Sequence, residues 1–285
     1  MSDFGTQKTK LSQKLSEAVG SRKPLRALAQ MARREVLTET TTLTVERVAI
    51  NLKRLPKKLD GFRIAQLSDL HHSPFTSLEL INEAIRIANN LAPEMFVLTG
   101  DFVSHDTRYI APVADALSRL ASEFGSFACL GNHDHWTDAA LVTDLLRGEG
   151  ITVLINEGFR FKARGASFWL CGVDDLTLAK TDVKAALTGA REDEMKILLA
   201  HNPKILYRAA RRGVDLMLSG HTHGGQVKLR DEEDKILPTR RLTSGLYRRK
   251  NTQVYITRGI GTVVVPMRYH CPPEITLIEL RTANK

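Results

Sequence analysis

Five short polar clusters in this 285-residue sequence combine carboxylate, carboxamide and imidazole side chains with small or turn-forming residues. They read Ser68-Asp69-Leu70-His71, Gly100-Asp101-Phe102-Val103, Gly131-Asn132-His133-Asp134, Ala200-His201-Asn202-Pro203 and Gly220-His221-Thr222-His223-Gly224-Gly225. Each follows an apolar, strand-like stretch, where open α/β sheets place their ligand sites. The small residues let several strand ends converge on one point without steric conflict. All nine histidines lie beyond residue 70, and five of them fall inside the clusters. Asp, Asn and His donors without cysteine suit Mn, Fe, Co or Zn better than a thiolate zinc site, and calcium rarely recruits so many imidazoles. A carboxylate such as Asp101 can bridge two cations about 3.5 to 4 Å apart, clamping the attacking and leaving oxygens of an in-line displacement. That is the geometry of phosphoryl chemistry.

In this order, over roughly Phe62 to Leu280, the clusters resemble the calcineurin-like metallophosphoesterase superfamily. The stretch Gly220–Gln226, with Gly259-Ile260-Gly261, Arg268 and Pro273-Glu274-Ile275, resembles its bacterial, membrane-associated phosphodiesterase-like members. The resemblance implies an α/β fold, a four-layer αββα sandwich with two packed mixed sheets. Position by position it makes Asp69, His71, Asp101 and His223 ligands of one metal, with Asp101 bridging to a second completed by Asn132, His201 and His221. Two divalent ions (Mn, Fe or Zn) are implied, and no ligand position is substituted. It also puts His133 beside the leaving-group oxygen as general acid or electrostatic stabiliser, with Asp134 orienting its imidazole. The implied reaction is hydrolysis by a hydroxide formed on metal, because cations lower the pKa of coordinated water to about 7. His72, His105, His135 and His270 have no ligand spacing and read as ordinary histidines lining or lying near the cleft, while Arg258 and Arg268 read as surface arginines.

The elements that must position these residues alternate. Apolar, β-rich segments at Leu43–Leu52, Phe62–Leu67, Met95–Leu98, Ser126–Leu130, Ser167–Cys171, Lys196–Ala200, Leu216–Leu218, Val254–Thr257 and Glu274–Leu280 predict strands. Three- and four-residue apolar spacing predicts helices around Leu78/Ile81/Ile85/Ala88/Leu91, Val113/Ala116/Leu117/Leu120 and Leu141/Val142/Leu145/Leu146. This is the pattern of an α/β layered fold. Leu229–Lys250 is highly charged and poor in apolar residues, as expected of an exposed excursion. Residues 41–285 are read as one domain, preceded over 1–40 by a basic amphipathic extension with two short helices between residues 8 and 37.

Charge divides the chain in the same place. The formal charge is +9, yet residues 1–58 carry 13 Lys/Arg against 5 Asp/Glu, leaving 28 against 27 beyond them. Such a leader suits peripheral contact with an anionic membrane, or nucleic acid. A nuclease of the same superfamily, for which the basic charge speaks, is the first rival reading, but the near-neutral remainder without aromatic stacking signals speaks against it. The second rival is a metal-bearing, non-catalytic scaffold. Three cysteines far apart in sequence indicate no disulfide framework. No run approaches the roughly 18 apolar residues of a membrane-spanning helix. The expected place is therefore the cytoplasm, with peripheral contact on the inner membrane. The expected substrate is a small or lipid-linked phosphoester or pyrophosphate, UDP-diacylglucosamine being one possibility.

Overall fold

The computed structural model describes residues 40–226, 242–263 and 266–283. The helices expected between residues 8 and 37 lie outside them, as does most of the Leu229–Lys250 excursion. Among the described residues, twelve strands form two six-stranded mixed sheets. The first sheet contains β1 (Thr44–Leu52), β12 (Glu274–Thr282), β2 (Phe62–Leu67), β3 (Met95–Leu98), β4 (Ser126–Ala128) and β5 (Thr152–Val153), in that order. The second runs β10 (Gly245–Arg249), β11 (Thr252–Ile256), β9 (Leu216–Ser219), β8 (Lys196–Leu199), β7 (Ala166–Gly172) and β6 (Glu157–Ala163). Strands β2 to β5 are mutually parallel, as are β7, β8, β9 and β11.

Alternation along each strand builds the layers, because successive side chains point to opposite faces. Ile197 and Leu199 of β8, Leu216 and Leu218 of β9, and Ile64 of β2 meet Phe62, Val97, Phe168 and Ile278 between the sheets. The opposite face of β8 and β9, with Leu198 and Met217, packs under α5 (Val183–Ala186) and α6 (Leu206–Arg211). Ala65, Leu67, Phe96 and Leu98 of the first sheet pack under α1 (Leu78–Asn90), α2 (Ile110–Leu117) and α4 (Ala139–Gly148). The result is four layers, helices, sheet, sheet, helices. The central strands are apolar on both faces, which makes them legible as strands.

The elements the sequence did not announce are edges and short turns of helix. Strands β5, β6 and β10 each pair on one side only and so need less apolar residue on their outer faces. β10 pairs antiparallel with β11, so the C-terminal part of the expected excursion is a sheet edge rather than a free loop. The six-residue helix α3 (Asn132–Thr137) begins at the third polar cluster, too short for a helical period to register. No helix among the described residues is long and apolar enough to cross a membrane.

Candidate metal centre

The C-terminal ends of β2, β3 and β4 in one sheet, and of β8 and β9 in the other, carry the five clusters to one place. Asp69 follows β2, Asp101 follows β3, Asn132 opens α3 after β4, and His201 and His221 follow β8 and β9. These turns adopt backbone conformations that a sequence does not disclose. Asp69 (φ 51°), His71 (φ 47°), Asp101 (φ 56°), His221 (φ 71°) and His223 (φ 50°) are all left-handed, which for a residue with a Cβ costs on the order of 1 to 3 kcal/mol and persists only where the surroundings over-determine it. Close approach does that here. A Cβ on Gly131 would overlap the Asp101 carboxylate, and one on Gly220 would overlap Ser68 Oγ and Asp69 Oδ2.

The side-chain donors then fall into three overlapping groups, each with its ligand atoms within 4.8 Å of one another: Asp69, His71 and His223; His71, Asp101 and His133; Asp101, His201 and His221. Nε2 of His71 lies 3.0 Å from Nε2 of His223 and 3.5 Å from Asp101 Oδ2. Nε2 of His223 lies 3.4 Å from Asp69 Oδ1, Nε2 of His201 lies 3.1 Å from Asp101 Oδ2, and Nδ1 of His221 lies 3.1 Å from Nε2 of His201. Atoms each about 2.0 to 2.1 Å from a common cation are separated by roughly 3.0 to 3.4 Å in tetrahedral or octahedral geometry, so the spacings fit metal coordination. Asn132 is buried, and its Oδ1 has no hydrogen-bonding partner. An orphaned carbonyl oxygen at such a junction is what a cation would satisfy.

Outer contacts orient the rings. His201 Nδ1 lies 2.7 Å from the Thr99 carbonyl and donates to it, turning Nε2 toward Asp101. His71 Nδ1 lies 2.7 Å from Ser104 Oγ; with the ring proton assigned there, Nε2 carries a lone pair into the site. Metal-binding histidines typically have such partners. Burial pushes His71 and His223 down to about 3, despite Asp101 and Asp69 beside His71, and the nearby Arg268 charge adds to the effect at His223. Two neutral imidazoles thus aim at one spot. Burial also opposes a proton on His201, yet the charge and hydrogen bond of Asp101 raise that ring to about 10. Burial opposes ionisation of Asp101 as well, but His201 and His71 hold its carboxyl far below the usual carboxylate range.

His133 lies with His71 and Asp101 in one donor group, whereas Asp134 turns toward the backbone. The His133 ring packs edge-on against His71 (4.7 Å), His105 (5.1 Å) and Trp136 (4.7 Å), and its Nδ1 has no hydrogen-bonding partner. The expected grip of Asp134 on this imidazole is absent. The Asp134 carboxylate accepts instead from the backbone N–H of Asp101 (2.8 Å), Phe102 (2.8 Å) and Gly131 (2.9 Å), because α3 aims it at the turn after β3 rather than toward its neighbour in sequence. Burial and the Asp101 charge push Asp134 up to about 7, against N–H donors that favour its ionised form.

Of the other histidines, His72 bonds the Thr76 carbonyl, His135 pairs with Asp174 at 2.5 Å, His105 borders His133, and His270 packs on Tyr269. Arg268 is not a surface residue. It is fully buried and donates to the carbonyls of Arg258, Gly259, Gly261 and Cys271, holding together the glycine turns beside Asp69. Arg258 is committed to Glu46 and Glu274. Thr99, Ser104 and Trp136 are the site neighbours the sequence reading missed: a backbone carbonyl has no sequence signal, and a lone Ser or Trp near a motif carries little.

The family model for calcineurin-like phosphoesterases matches residues 62–225. The chain is 33% identical over 255 residues to the uncharacterized metallophosphoesterase YkuE of Bacillus subtilis, covering 87% of both chains. It is 34% identical over 225 residues to the phosphodiesterase YaeI of Escherichia coli, covering 77% of this chain and 82% of that one. A transmembrane protein with metallophosphoesterase domain from Danio rerio is 33% identical over 257 residues, with 83% of this chain matched to 57% of that one.

Proposed function

Because the chain belongs to the calcineurin-like phosphoesterases, a family of metal-dependent phosphoester hydrolases, we propose that it hydrolyses phosphodiester or pyrophosphate bonds at a dinuclear centre. Asp69, His71, Asp101 and His223 would hold one divalent ion, and Asp101, Asn132, His201 and His221 a second, of Mn, Fe or Zn. The observation that carries this reading is that Asp101 lies within ligand distance of both imidazole groups, His71 on one side and His201 and His221 on the other. Divalent ions, when bound, lower the pKa of coordinated water to about 7 and offset charge on phosphoryl oxygens.

The chain's own residues supply the rest. Thr99 and Ser104 hold the Nδ1 sides of His201 and His71, so that Nε2 of each ring faces the site. His133, held by ring contacts rather than a hydrogen bond, is directed at the leaving-group oxygen. Burial depresses its basicity, so the ring acts near neutral pH as a neutral N–H donor. Asp134 acts through the backbone, fixing the Asp101 turn against Gly131. The name of the Escherichia coli relative makes phosphodiesters the first class to try. A lipid-linked pyrophosphate such as UDP-diacylglucosamine, with residues 1–40 resting on an anionic inner membrane, extends the same reading.

The test is hydrolysis by metal-reconstituted protein of bis-p-nitrophenyl phosphate, p-nitrophenyl phosphate and a nucleotide-diphosphate lipid, with Asp101→Asn as control. Turnover of one ester, lost in the variant, supports the proposal and picks the bond class. No turnover of any of them with two metals bound per chain overturns it.

A further inference from the structure

The described arginines divide by partner. Arg54, Arg86, Arg108, Arg119, Arg147, Arg160, Arg164, Arg258 and Arg281 each reach a carboxylate within 4 Å. Arg63, Arg248 and Arg268 donate to backbone carbonyls instead, and on one face of the second sheet further arginines without a carboxylate partner gather. Arg208 and Arg211 of α6, Arg212 at its C-cap and Arg249 of β10 make no ion pair among the described residues, although they crowd together. The Arg211 and Arg249 guanidinium groups lie 5.7 and 4.6 Å from the centroid of the Tyr207 ring, so helix and edge strand present one continuous cationic surface. Tyr207 is itself half exposed. Lys184 of α5 joins from the other side, where Thr181, Asp182, Val183, Lys184, Tyr207 and the three α6 arginines line a groove of about 570 Å³. Its one carboxylate, Asp182, already caps α5 through hydrogen bonds from Lys184 and Ala185.

Converging like charges repel, and the arrangement is stabilised when an anion sits among them. None of the residues lining this groove belongs to the three donor groups of the metal centre. Arg211 and Arg212 end a helix that leads from the His201 end of β8 back to the start of β9, and Arg249 pairs with Thr252 at the start of β11. Both therefore sit toward the strand ends opposite those carrying the metal donors. The volume lies within the roughly 300 to 1,000 Å³ of small-molecule sites. Guanidinium forks match phosphate oxygens bidentately. Among the described residues, Tyr207 is the one aromatic ring lining the groove, which sets the surface apart from single-strand nucleic-acid platforms, where successive bases stack on several rings. From this geometry we infer that Lys184, Arg208, Arg211, Arg212 and Arg249 form an accessory site for an anion bearing at least two phosphate groups, separate from the site of hydrolysis.

The ligand chemistry is shared by a soluble bisphosphate and by clustered anionic lipid headgroups, and two binding arms separate them. Metal-loaded full-length protein is titrated calorimetrically with methylenebisphosphonate, and is sedimented with phosphatidylcholine vesicles with and without phosphatidylglycerol. Wild type is compared with the Arg208→Glu/Arg211→Glu/Arg212→Glu variant and with the milder Arg→Gln triple. The expected result is the loss of one bisphosphonate site, or a fall of at least tenfold in affinity for anionic vesicles, deepest for Glu and intermediate for Gln. Hydrolysis of the preferred ester stays within twofold, since none of these side chains belongs to the metal centre. Loss in the calorimetric arm identifies a soluble ligand; loss in the vesicle arm alone identifies a lipid headgroup. Unchanged binding in both arms overturns the inference.

Discussion

Asp101 and Asp134 brace each other through the backbone: Oδ2 of Asp134 accepts from the Asp101 N–H at 2.8 Å, and Oδ1 of Asp101 accepts from the His133 N–H at 2.8 Å. One carboxylate is then left with an oxygen facing His201 and His71, while the other is spent on the turn. Asp134→Asn places an amide N–H₂ against backbone N–H donors. We expect a stability loss of about 2 to 3 kcal/mol, read from denaturant unfolding, and metal affinity lower by roughly 10- to 100-fold. Wild-type values on both counts would show that the brace is dispensable.

His133→Ala removes a ring that touches three others but holds no hydrogen bond through Nδ1. The expected outcome is unchanged metal content by elemental analysis, with kcat lower by about 10² to 10⁴ for an ester with a poor leaving group. A poor leaving group depends most on donation to its oxygen, so p-nitrophenyl esters should be affected less. An equal loss for both esters would assign His133 a structural part instead.

Metal affinity should rise with pH. In the metal-free site His201 holds a proton up to about 10, because Asp101 outweighs the burial that would expel it. A cation binding at Nε2 must displace that proton throughout the range below 10. The Kd for Mn²⁺ is therefore expected to fall about tenfold per pH unit between pH 6 and 8 if one proton is released, and calorimetry in buffers of different ionisation enthalpy counts it. A flat profile would mean that no proton leaves.

Gly220 and Gly150 make a controlled pair. Gly220→Ala drives a Cβ into Ser68 Oγ and Asp69 Oδ2, so metal binding should weaken by at least tenfold. Gly150→Ala meets nothing within 4 Å but forces a side chain onto φ +79°. It should cost about 1 kcal/mol of stability and leave the metals in place. Equal metal affinity in the two variants would refute the close-approach account of Gly220.

The sequence by itself determined where chemistry could sit and from which atoms it could be built. Central strands buried on both faces must be apolar, so β2, β3, β8 and β9 announced themselves, and the polar residues straight after them had to lie at the sheet ends. The identities Asp, Asn and His without thiolate also favour borderline to hard cations over a thiolate zinc site. The tertiary structure alone decided the rest. Which atoms converge depends on left-handed turns at Asp69, His71, Asp101, His221 and His223, and those turns are held by contacts between residues far apart in sequence, such as the hydrogen bond from the His221 N–H to Asp69, 152 positions away. Asp134 sits beside His133 in sequence yet serves the Asp101 turn, because a helix start fixes side-chain direction independently of which neighbour looks chemically inviting. Arg268 reads as a surface charge until four backbone carbonyls, brought together only by the folded glycine turns, make its burial favourable. Composition fixes donors and periodicity fixes strands; direction in space comes from packing that a linear pattern does not encode.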